Sequence, residues 1–153
     1  MKKTFLFLLA IQISFTVMAQ NDYSFVDGAY AYESGELVSG KAVTNYESGA
    51  IESSYELKNG LYHGAVLFYF ESGEMQEQGL YFNGKKDGKW MKWSDSGAKI
   101  GEANYFKGQK DGKWGVWDEN GVKRSEMEYN KGEKSGVWIM WDEKGKETMR
   151  KEF

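Results

Sequence analysis

The 153-residue sequence contains no cysteine, no proline and a single histidine, His63. Without cysteine the chain can form no disulfide and offers no thiolate nucleophile, and one histidine cannot build a Cys-His or multi-His metal site. Glycine and aromatic residues are plentiful instead, with 19 Gly, 6 Trp, 10 Tyr and 9 Phe. In a chain that is 28% charged, this combination favours many short strands joined by tight turns.

The first 19 residues are predicted to be a secretory signal peptide. Lys2 and Lys3 form a positive n-region, residues 5–18 are largely apolar, and Ala19 ends a small-x-small cleavage pattern. The apolar stretch falls short of the roughly 20 residues that a membrane-spanning helix needs. We therefore expect cleavage after Ala19, followed by an N-terminal lead-in over 20–35, in a chain exported to the periplasm, the cell surface or the medium.

Charge is distributed unevenly along the exported part of the chain. Residues 20–83 hold 2 basic and 10 acidic side chains, whereas residues 84–153 hold 16 basic and 13 acidic ones. A mildly acidic, exported chain without a strongly basic domain is a poor candidate for nucleic-acid binding. We therefore expect no nucleic-acid partner.

Glycine and tryptophan recur at steps of 24 residues. Three glycine columns hold 14 of the 19 glycines, and all six tryptophans lie in two columns. Glycine is needed where the backbone adopts positive φ, so this regular spacing indicates turns at fixed positions of a repeat. The predicted turn glycines are Gly60, Gly64, Gly84, Gly88, Gly108, Gly112, Gly132 and Gly136.

The repeat divides residues 36–145 into one short and four full units. In a full unit, a segment of alternating polarity is followed by two glycines four residues apart, then by a second apolar segment and another turn. Alternation predicts strands, and we expect the two glycines to bracket a long turn. The fold class is therefore all-β, with tandem 24-residue hairpins in one elongated antiparallel meander sheet. The units are 36–49 (short), 50–73, 74–97, 98–121 and 122–145, and 146–153 is a half-unit that caps the C-terminal end.

The aromatic columns predict a core on one face of the sheet and a surplus of apolar side chains on the other. Residues three apart in a strand point to opposite faces, so Trp90 and Trp93 cannot share a core unless the strand is irregular. Three covers for the surplus row remain open: curling of the sheet, packing of two chains face to face, or an exposed stripe that binds a partner. The predicted core is Leu57, Tyr81, Trp90, Tyr105, Trp114, Tyr129, Trp138 and Phe153.

Two stretches resemble a known repeat family. The segments NGKKDGKWMKWSDSG (83–97) and KGQKDGKWGVWDENG (107–121) resemble the MORN-repeat variant, and SGKAVTNYESG (39–49) looks like an abbreviated first repeat. The resemblance covers about residues 30–153. It implies a hairpin-repeat scaffold that binds proteins or phospholipids, in a bacterial family whose members are often labelled antitoxin components of toxin–antitoxin systems.

No catalytic, cofactor or metal site is predicted. His63 lies between two turn glycines, and Asp87 and Asp111 precede glycines without the Asp-x-Asp series of a calcium loop. Turn formation is the simpler interpretation of all three residues. The chain is therefore predicted not to be an enzyme.

Lysines gather in the predicted long turn and acidic residues in the opposite turn, so one edge of the sheet should be basic and the other acidic. A basic edge suits an acidic protein, anionic lipid headgroups or a polyanionic glycan. Together with the surplus aromatic row, it supplies the candidate partner-binding residues. These are Tyr69, Trp93, Trp117, Trp141, Lys86, Lys110 and Lys134.

The function expected from the sequence is that of an exported, non-catalytic scaffold of the cell envelope that binds another envelope or secreted protein. The alternative is an envelope glycan or phospholipid binding module, and an antitoxin or immunity-type role ranks below both. A face-to-face dimer is compatible with the aromatic pattern, and no cofactor is expected.

Overall fold

The computed structural model of the chain describes residues 17–18 and 23–153. Apart from Val17 and Met18, the predicted signal peptide lies outside the described residues. The strands are β1 (Val17–Met18), β2 (Tyr23–Val26), β3 (Ala29–Tyr32), β4 (Gly40–Asn45), β5 (Ile51–Lys58), β6 (Leu61–Tyr69), β7 (Met75–Phe82), β8 (Lys85–Trp93), β9 (Lys99–Phe106), β10 (Gln109–Lys110), β11 (Gly112–Trp117), β12 (Lys123–Asn130), β13 (Glu133–Trp141) and β14 (Glu147–Glu152). Within the described ranges there is no helix with the length and apolarity needed to cross a membrane.

From β4 to β14 the strands form one antiparallel meander. Each strand pairs with the next in sequence, β10 pairs with β9 just before the chain continues into β11, and β1 joins β4 in parallel. Strands β2 and β3 form a separate hairpin. The predicted all-β meander of tandem hairpins is therefore confirmed.

The turns inside the units are shorter than the sequence suggested. Asn59, Asn83, Lys107 and Lys131 have φ of 48° to 50°, and the glycine after each has φ of 74° to 92°. Two successive residues with positive φ make the two-residue hairpin turn whose twist matches the flanking strands. The second strand therefore begins directly after the first glycine of each pair, and the expected long turn is corrected to two residues. These turns define the tight-turn edge of the sheet.

The second glycine of each pair lies in a strand rather than in a turn. Gly64, Gly88, Gly112 and Gly136 have φ between 61° and 90°, and Gly64, Gly88 and Gly136 lie opposite shifts in register of the strand ladder. A positive φ inside a strand is typical of a β-bulge, where the extra residue leaves the regular pairing. These four glycines therefore mark bulges, not the end of a turn.

Successive tight turns are bonded to one another across the sheet. The Lys107 amide donates to Asp87 Oδ1 and the Lys131 amide to Asp111 Oδ1, each at 3.0 Å. The Gly108 amide donates to the Lys86 carbonyl at 2.8 Å. Because each bond joins a turn to the unit before it, the 24-residue spacing of Asp87 and Asp111 follows from turn-to-turn bonding.

The two tryptophan columns lie on opposite faces. Trp90 pairs with Ala103, whereas Gly115 pairs with Glu102, the neighbour of Ala103 in β9. The Trp117 ring lies so close to Gly115 that a Cβ on that glycine would be 2.4 Å from the ring. Adjacent strand residues point to opposite faces, so Trp90 and Trp117 are separated by the sheet.

We call the face of Trp90, Trp114 and Trp138 the ladder face; the opposite face carries Tyr69, Trp93, Trp117 and Trp141.

The β2–β3 hairpin covers the N-terminal half of the ladder face. Its Tyr23 and Tyr30 hydroxyls lie 3.1 Å and 3.0 Å from those of Tyr55 and Tyr62. Burial raises the pKa of the Tyr55 and Tyr62 hydroxyls above its ordinary value, and these hydrogen bonds raise it further. The 20–35 lead-in of the sequence analysis therefore contains a hairpin that forms a second layer over the core.

The predicted core is buried only in part. Leu57 and Trp90 are 2% exposed and Trp138 is 7% exposed, whereas Phe153 is 42% exposed. Trp114 and the three tyrosines of the column, Tyr81, Tyr105 and Tyr129, are half-buried. The difference follows from the cover: the hairpin packs on the first units, and the sheet from β8 onward has no second layer among the described residues.

Candidate interaction surface

The rings of the ladder face form one continuous series across the sheet. Each ring contacts the next at centroid distances of 4.9 to 6.2 Å, mostly edge to face or tilted. Such pairs add stabilisation beyond the area that they bury. In order, the series is Tyr30, Tyr62, Tyr81, Trp90, Tyr105, Trp114, Tyr129, Trp138 and Phe153.

The three indoles of this series are fixed by the same hydrogen bond. Trp90 Nε1 donates to the Leu80 carbonyl at 3.2 Å, and Trp114 and Trp138 donate to the equivalent carbonyls of Asn104 and Glu128 at 3.0 Å. A buried indole N–H needs an acceptor. Because each bond ties an indole to the first strand of its own hairpin, the rings keep the same position in every unit.

Three lysines that follow one another at 24-residue steps each lie over two of these rings. Lys86 Nζ is 3.6 Å from the Trp90 ring centroid and 5.4 Å from that of Tyr105. Lys110 Nζ lies 4.5 Å and 4.7 Å from the rings of Trp114 and Tyr129. Lys134 Nζ lies 4.6 Å and 5.0 Å from Trp138 and Phe153. A ring face attracts a cation at such distances, so each ammonium is held in place by two rings.

The same column holds a tyrosine in the unit that the hairpin covers. Tyr62 precedes Lys86 by 24 residues, and its hydroxyl bonds that of Tyr30 in β3. A lysine there would place an ammonium under the hairpin, where burial of an unpaired charge is costly. The column therefore distinguishes the covered half of the ladder face from the rest.

The ladder-face side of β8–β14, which we call the open half, contains no acidic side chain. Its strand pairings place every Asp and Glu of residues 85–153 on the opposite face or at the edges. Glu77, on β7 at its border, lies 3.4 Å from Lys86 Nζ. The open half is therefore of one charge sign. Its lysines are Lys86, Lys92, Lys110, Lys134 and Lys151.

On the opposite face, acidic side chains lie among the lysines, and several form ion pairs. Glu102 lies 2.8 Å from Lys89 Nζ and 2.6 Å from Lys99 Nζ, and these bonds hold the pKa of its carboxyl below the usual value. Lys123 lowers the pKa of Glu126 in the same way. Unbalanced positive charge is thus a property of the open half.

A cleft of about 300 Å³ opens on this surface between the second and third full units. Trp90, Tyr105 and Trp114 line it together with the Lys86–Glu77 ion pair at its border, and Gly101 and Ala103 of β9 lie on the same face. The next unit has Ser125 and Met127 in those two columns. The cleft exists because β9 presents two small residues where β12 presents larger ones.

The predicted partner-binding residues do not form one surface. Lys86, Lys110 and Lys134 lie on the open half, whereas Tyr69, Trp93, Trp117 and Trp141 are half-buried on the opposite face. Trp117 packs on Gly115, with Lys99 Nζ 4.3 Å and Lys123 Nζ 5.4 Å from its ring. The second tryptophan row is therefore partly covered by lysines of its own face and is not a bare stripe.

Sequence reasoning missed an apolar group at the tight-turn edge of the opposite face. Leu80, Phe82 and Phe106 are each about half exposed there. The His63 ring lies 5.1 Å from that of Phe82, and its Nδ1 is 3.2 Å from Asn83 Oδ1 in the turn. Across residues 17–18 and 23–153, no cluster of three or more His, Asp or Glu side chains could hold a metal ion.

Comparison with family models identifies repeats in this chain. The MORN repeat variant model matches residues 62–83 and 110–131, two segments that begin two units apart in the column of Tyr62 and Lys110. The chain therefore carries MORN repeat variant sequences, as the resemblance implied. MORN repeats are non-catalytic modules generally associated with binding of proteins or membrane lipids. Comparison with curated proteins finds no match.

Proposed function

Because the chain carries MORN-variant repeats, we propose that it is an exported, non-catalytic scaffold that binds another protein of the cell envelope through the open half of the ladder face. One observation carries this proposal. The open half combines lysines with exposed apolar side chains, among them Val116 and Met140, and its strands carry no acidic side chain on this face, with Glu77 of β7 at its border. A contiguous apolar surface of one charge sign is typical of an interaction site.

The covered half of the same face supports a polypeptide partner. There, the β2–β3 hairpin packs its tyrosines on the ring series and bonds the Tyr55 and Tyr62 hydroxyls. The Tyr30 amide also donates to the Gly60 carbonyl at 2.8 Å. This face thus binds a protein segment within the chain itself, and the same columns continue into the open half.

The burial of the indoles favours a protein over a neutral glycan. Sugar rings stack on exposed aromatic faces, whereas Trp90 and Trp138 are buried and have lysines over them. A dimer of two open halves would bring lysines against lysines, which is destabilising. Both arguments favour a different protein that carries negative charge.

Site-specific photo-crosslinking tests the proposal. A photoreactive residue at Val116, on the open half, is compared with one at Phe106, on the opposite face; these positions are 41% and 49% exposed. In envelope extract we expect the Val116 position alone to give one discrete adduct with a protein. Ala103→Met copies the residue of the next unit, fills the cleft and should weaken that adduct without unfolding the chain. Equal adducts from both positions, or adducts with lipid or glycan alone, would contradict the proposal.

Export is tested separately by the mass of the purified chain. Cleavage after Ala19 would leave a mature chain that begins at Gln20. A protein recovered from cells with its N-terminus at Met1 would remove the envelope part of the proposal and leave the binding surface unaffected.

A further inference from the structure

Resting on the proposed function, we propose that the open half takes an acidic amphipathic helix of the partner, whose carboxylates recur every seven residues and pair with Lys86, Lys110 and Lys134. Three features of the open half favour such a helix: the spacing of the lysines, their fixed positions and the apolar surface beside them.

The spacing of the lysines selects a helix. Lys86, Lys110 and Lys134 lie in β8, β10 and β13, with one full unit from each to the next. Two strand spacings separate them, or about 10 Å. Seven residues of an α-helix rise about 10.5 Å and return to nearly the same face. In an extended strand, residues on one side recur at about 6.6 Å or 13 Å, and neither distance fits.

The lysines are held in position for such a partner. Each ammonium lies over two rings, and Lys110 Nζ is also 3.5 Å from the Tyr129 hydroxyl. Lys86 Nζ also lies 3.4 Å from Glu77, whereas neither Lys110 nor Lys134 has an ion pair within the described part of the chain. The conformational entropy that a flexible lysine side chain loses on being ordered usually offsets the free energy gained from a surface ion pair. Here the rings supply that order before the partner binds.

The apolar surface beside the lysines would contact the apolar side chains of an amphipathic helix. Val116 and Met140 lie beyond the rings, on the side away from the tight-turn edge, and the cleft over Gly101 and Ala103 is wide enough for a side chain. Residues three and four positions from each carboxylate lie on the same side of a helix. Apolar residues at those positions would fill the cleft and cover Val116 and Met140.

Synthetic peptides test the spacing with the full chain. One helical peptide has glutamates at seven-residue steps with leucines three and four residues away. The control has the same composition with its glutamates grouped three or four residues apart, about 5 to 6 Å. We expect the spaced peptide to bind at least about 10-fold more tightly, measured by fluorescence anisotropy, with an affinity that falls as salt rises.

Lysine variants test the partners of those carboxylates. Lys86→Gln, Lys110→Gln and Lys134→Gln should each weaken binding of the spaced peptide about 3-fold, and the triple variant about 30-fold. The control variant replaces Lys85, Lys113 and Lys144 with glutamine, removes the same charge outside the open half, and should bind within about 2-fold of the wild type. Melting temperatures establish that both triple variants are folded.

The outcomes separate this inference from the proposed function. Equal affinity of the two peptides, equal losses in the two triple variants, or no binding of either peptide would overturn the helix proposal. Stronger binding to anionic vesicles or to a polyanionic glycan in parallel assays would also overturn it. If the Val116 crosslink persists undiminished in the triple variant of the open half, the proposed function stands and the inference fails.

Discussion

At the scale of single residues, the packing of Trp90 depends on a neighbour that has no side chain. A Cβ on Gly79 would lie 2.2 Å from the Trp90 ring, in a strand of ordinary backbone conformation. The ring is buried there and cannot move without leaving the core. We expect Gly79→Ala to lower the free energy of unfolding by about 1 to 3 kcal/mol through overpacking, measured by urea denaturation.

Gly101→Ala is the matched control. A Cβ there would be 3.3 Å from that of Lys92, whose side chain lies at the surface and can shift by a few tenths of an ångström. Losing a strand glycine also reduces the entropy of the unfolded chain, which favours folding slightly. The control should therefore change stability by less than about 0.5 kcal/mol; equal losses in the two variants would contradict this account of Trp90.

At the scale of elements, the tight turns differ in how well their first residue suits positive φ. Asn59 and Asn83 tolerate this conformation, whereas Lys107 and Lys131 adopt it at φ of 50° with a longer side chain that disfavours it. We expect Lys107→Asn to raise the free energy of unfolding by about 0.5 to 1 kcal/mol. The 3.0 Å bond from the residue 107 amide to Asp87 should be retained.

The matched control is Lys85→Asn, which makes the same replacement two residues after Asn83, outside the positive-φ position. It should be neutral or slightly destabilising in the same urea titration, because asparagine is a poor strand former. A gain in stability from both substitutions would show that backbone conformation at residue 107 is not the cause.

The stability that the docked β2–β3 hairpin contributes should decrease at alkaline pH. Burial raises the pKa of Tyr62 above its ordinary value of about 10, so the unfolded chain loses this proton first as pH rises. The contribution to stability is then complete below about pH 10 and is lost above it. We expect Tyr62→Phe to lower stability at pH 8, since the bond to Tyr30 is lost, and to flatten the decline between about pH 9 and pH 11.

Urea unfolding across that pH range measures both effects. Lysines titrate in the same range in the wild type and in the variant, so their contribution cancels in the difference between the two curves. Parallel curves for wild type and Tyr62→Phe would mean that the hydroxyl is not buried by the hairpin.

At the scale of the whole molecule, periodicity sufficed to predict the hairpins, their order and the all-β class. The 24-residue steps of glycine and tryptophan fix one hairpin per unit, and neighbours in sequence pair in a meander. The two faces of the second strand were also predictable, because Trp90 and Trp93 are three residues apart. The features of the fold that repeat with the 24-residue unit could therefore be predicted from the sequence.

The rest depends on contacts that the pattern does not encode. Gly60 and Gly64 have the same sequence signature, yet one completes a turn and the other a bulge, because pairing with β5 decides between them. From the sequence, Lys86 is expected in a solvated turn. It lies on the ladder face because the turn has only two residues and β8 already begins at Lys85. The β2–β3 hairpin lies in a stretch that does not repeat, so no column predicted its place on the core.

A modular sheet should tolerate the loss of one whole unit. Deleting residues 98–121 joins Gly97 to Val122 and keeps every column in register, so that Tyr129 replaces Tyr105 beside Trp90 and Glu126 replaces Glu102 opposite Lys89. Because stability in such arrays is a sum of unit and neighbour contributions, we expect a cooperatively folded β protein. The slope of its free energy of unfolding against urea concentration should be about a fifth smaller than that of the full chain, in proportion to the surface removed.

Deletion of half a unit, residues 98–109, is the control for this expectation. It places the second strand of one unit where a first strand belongs, so that the loops between units fall on the tight-turn edge. It also removes Lys107, whose amide donates to Asp87. We expect this chain not to unfold cooperatively, as measured by circular dichroism and urea titration. If the half-unit deletion were as stable as the full-unit deletion, contacts between neighbouring units would not be what sets the register of the sheet.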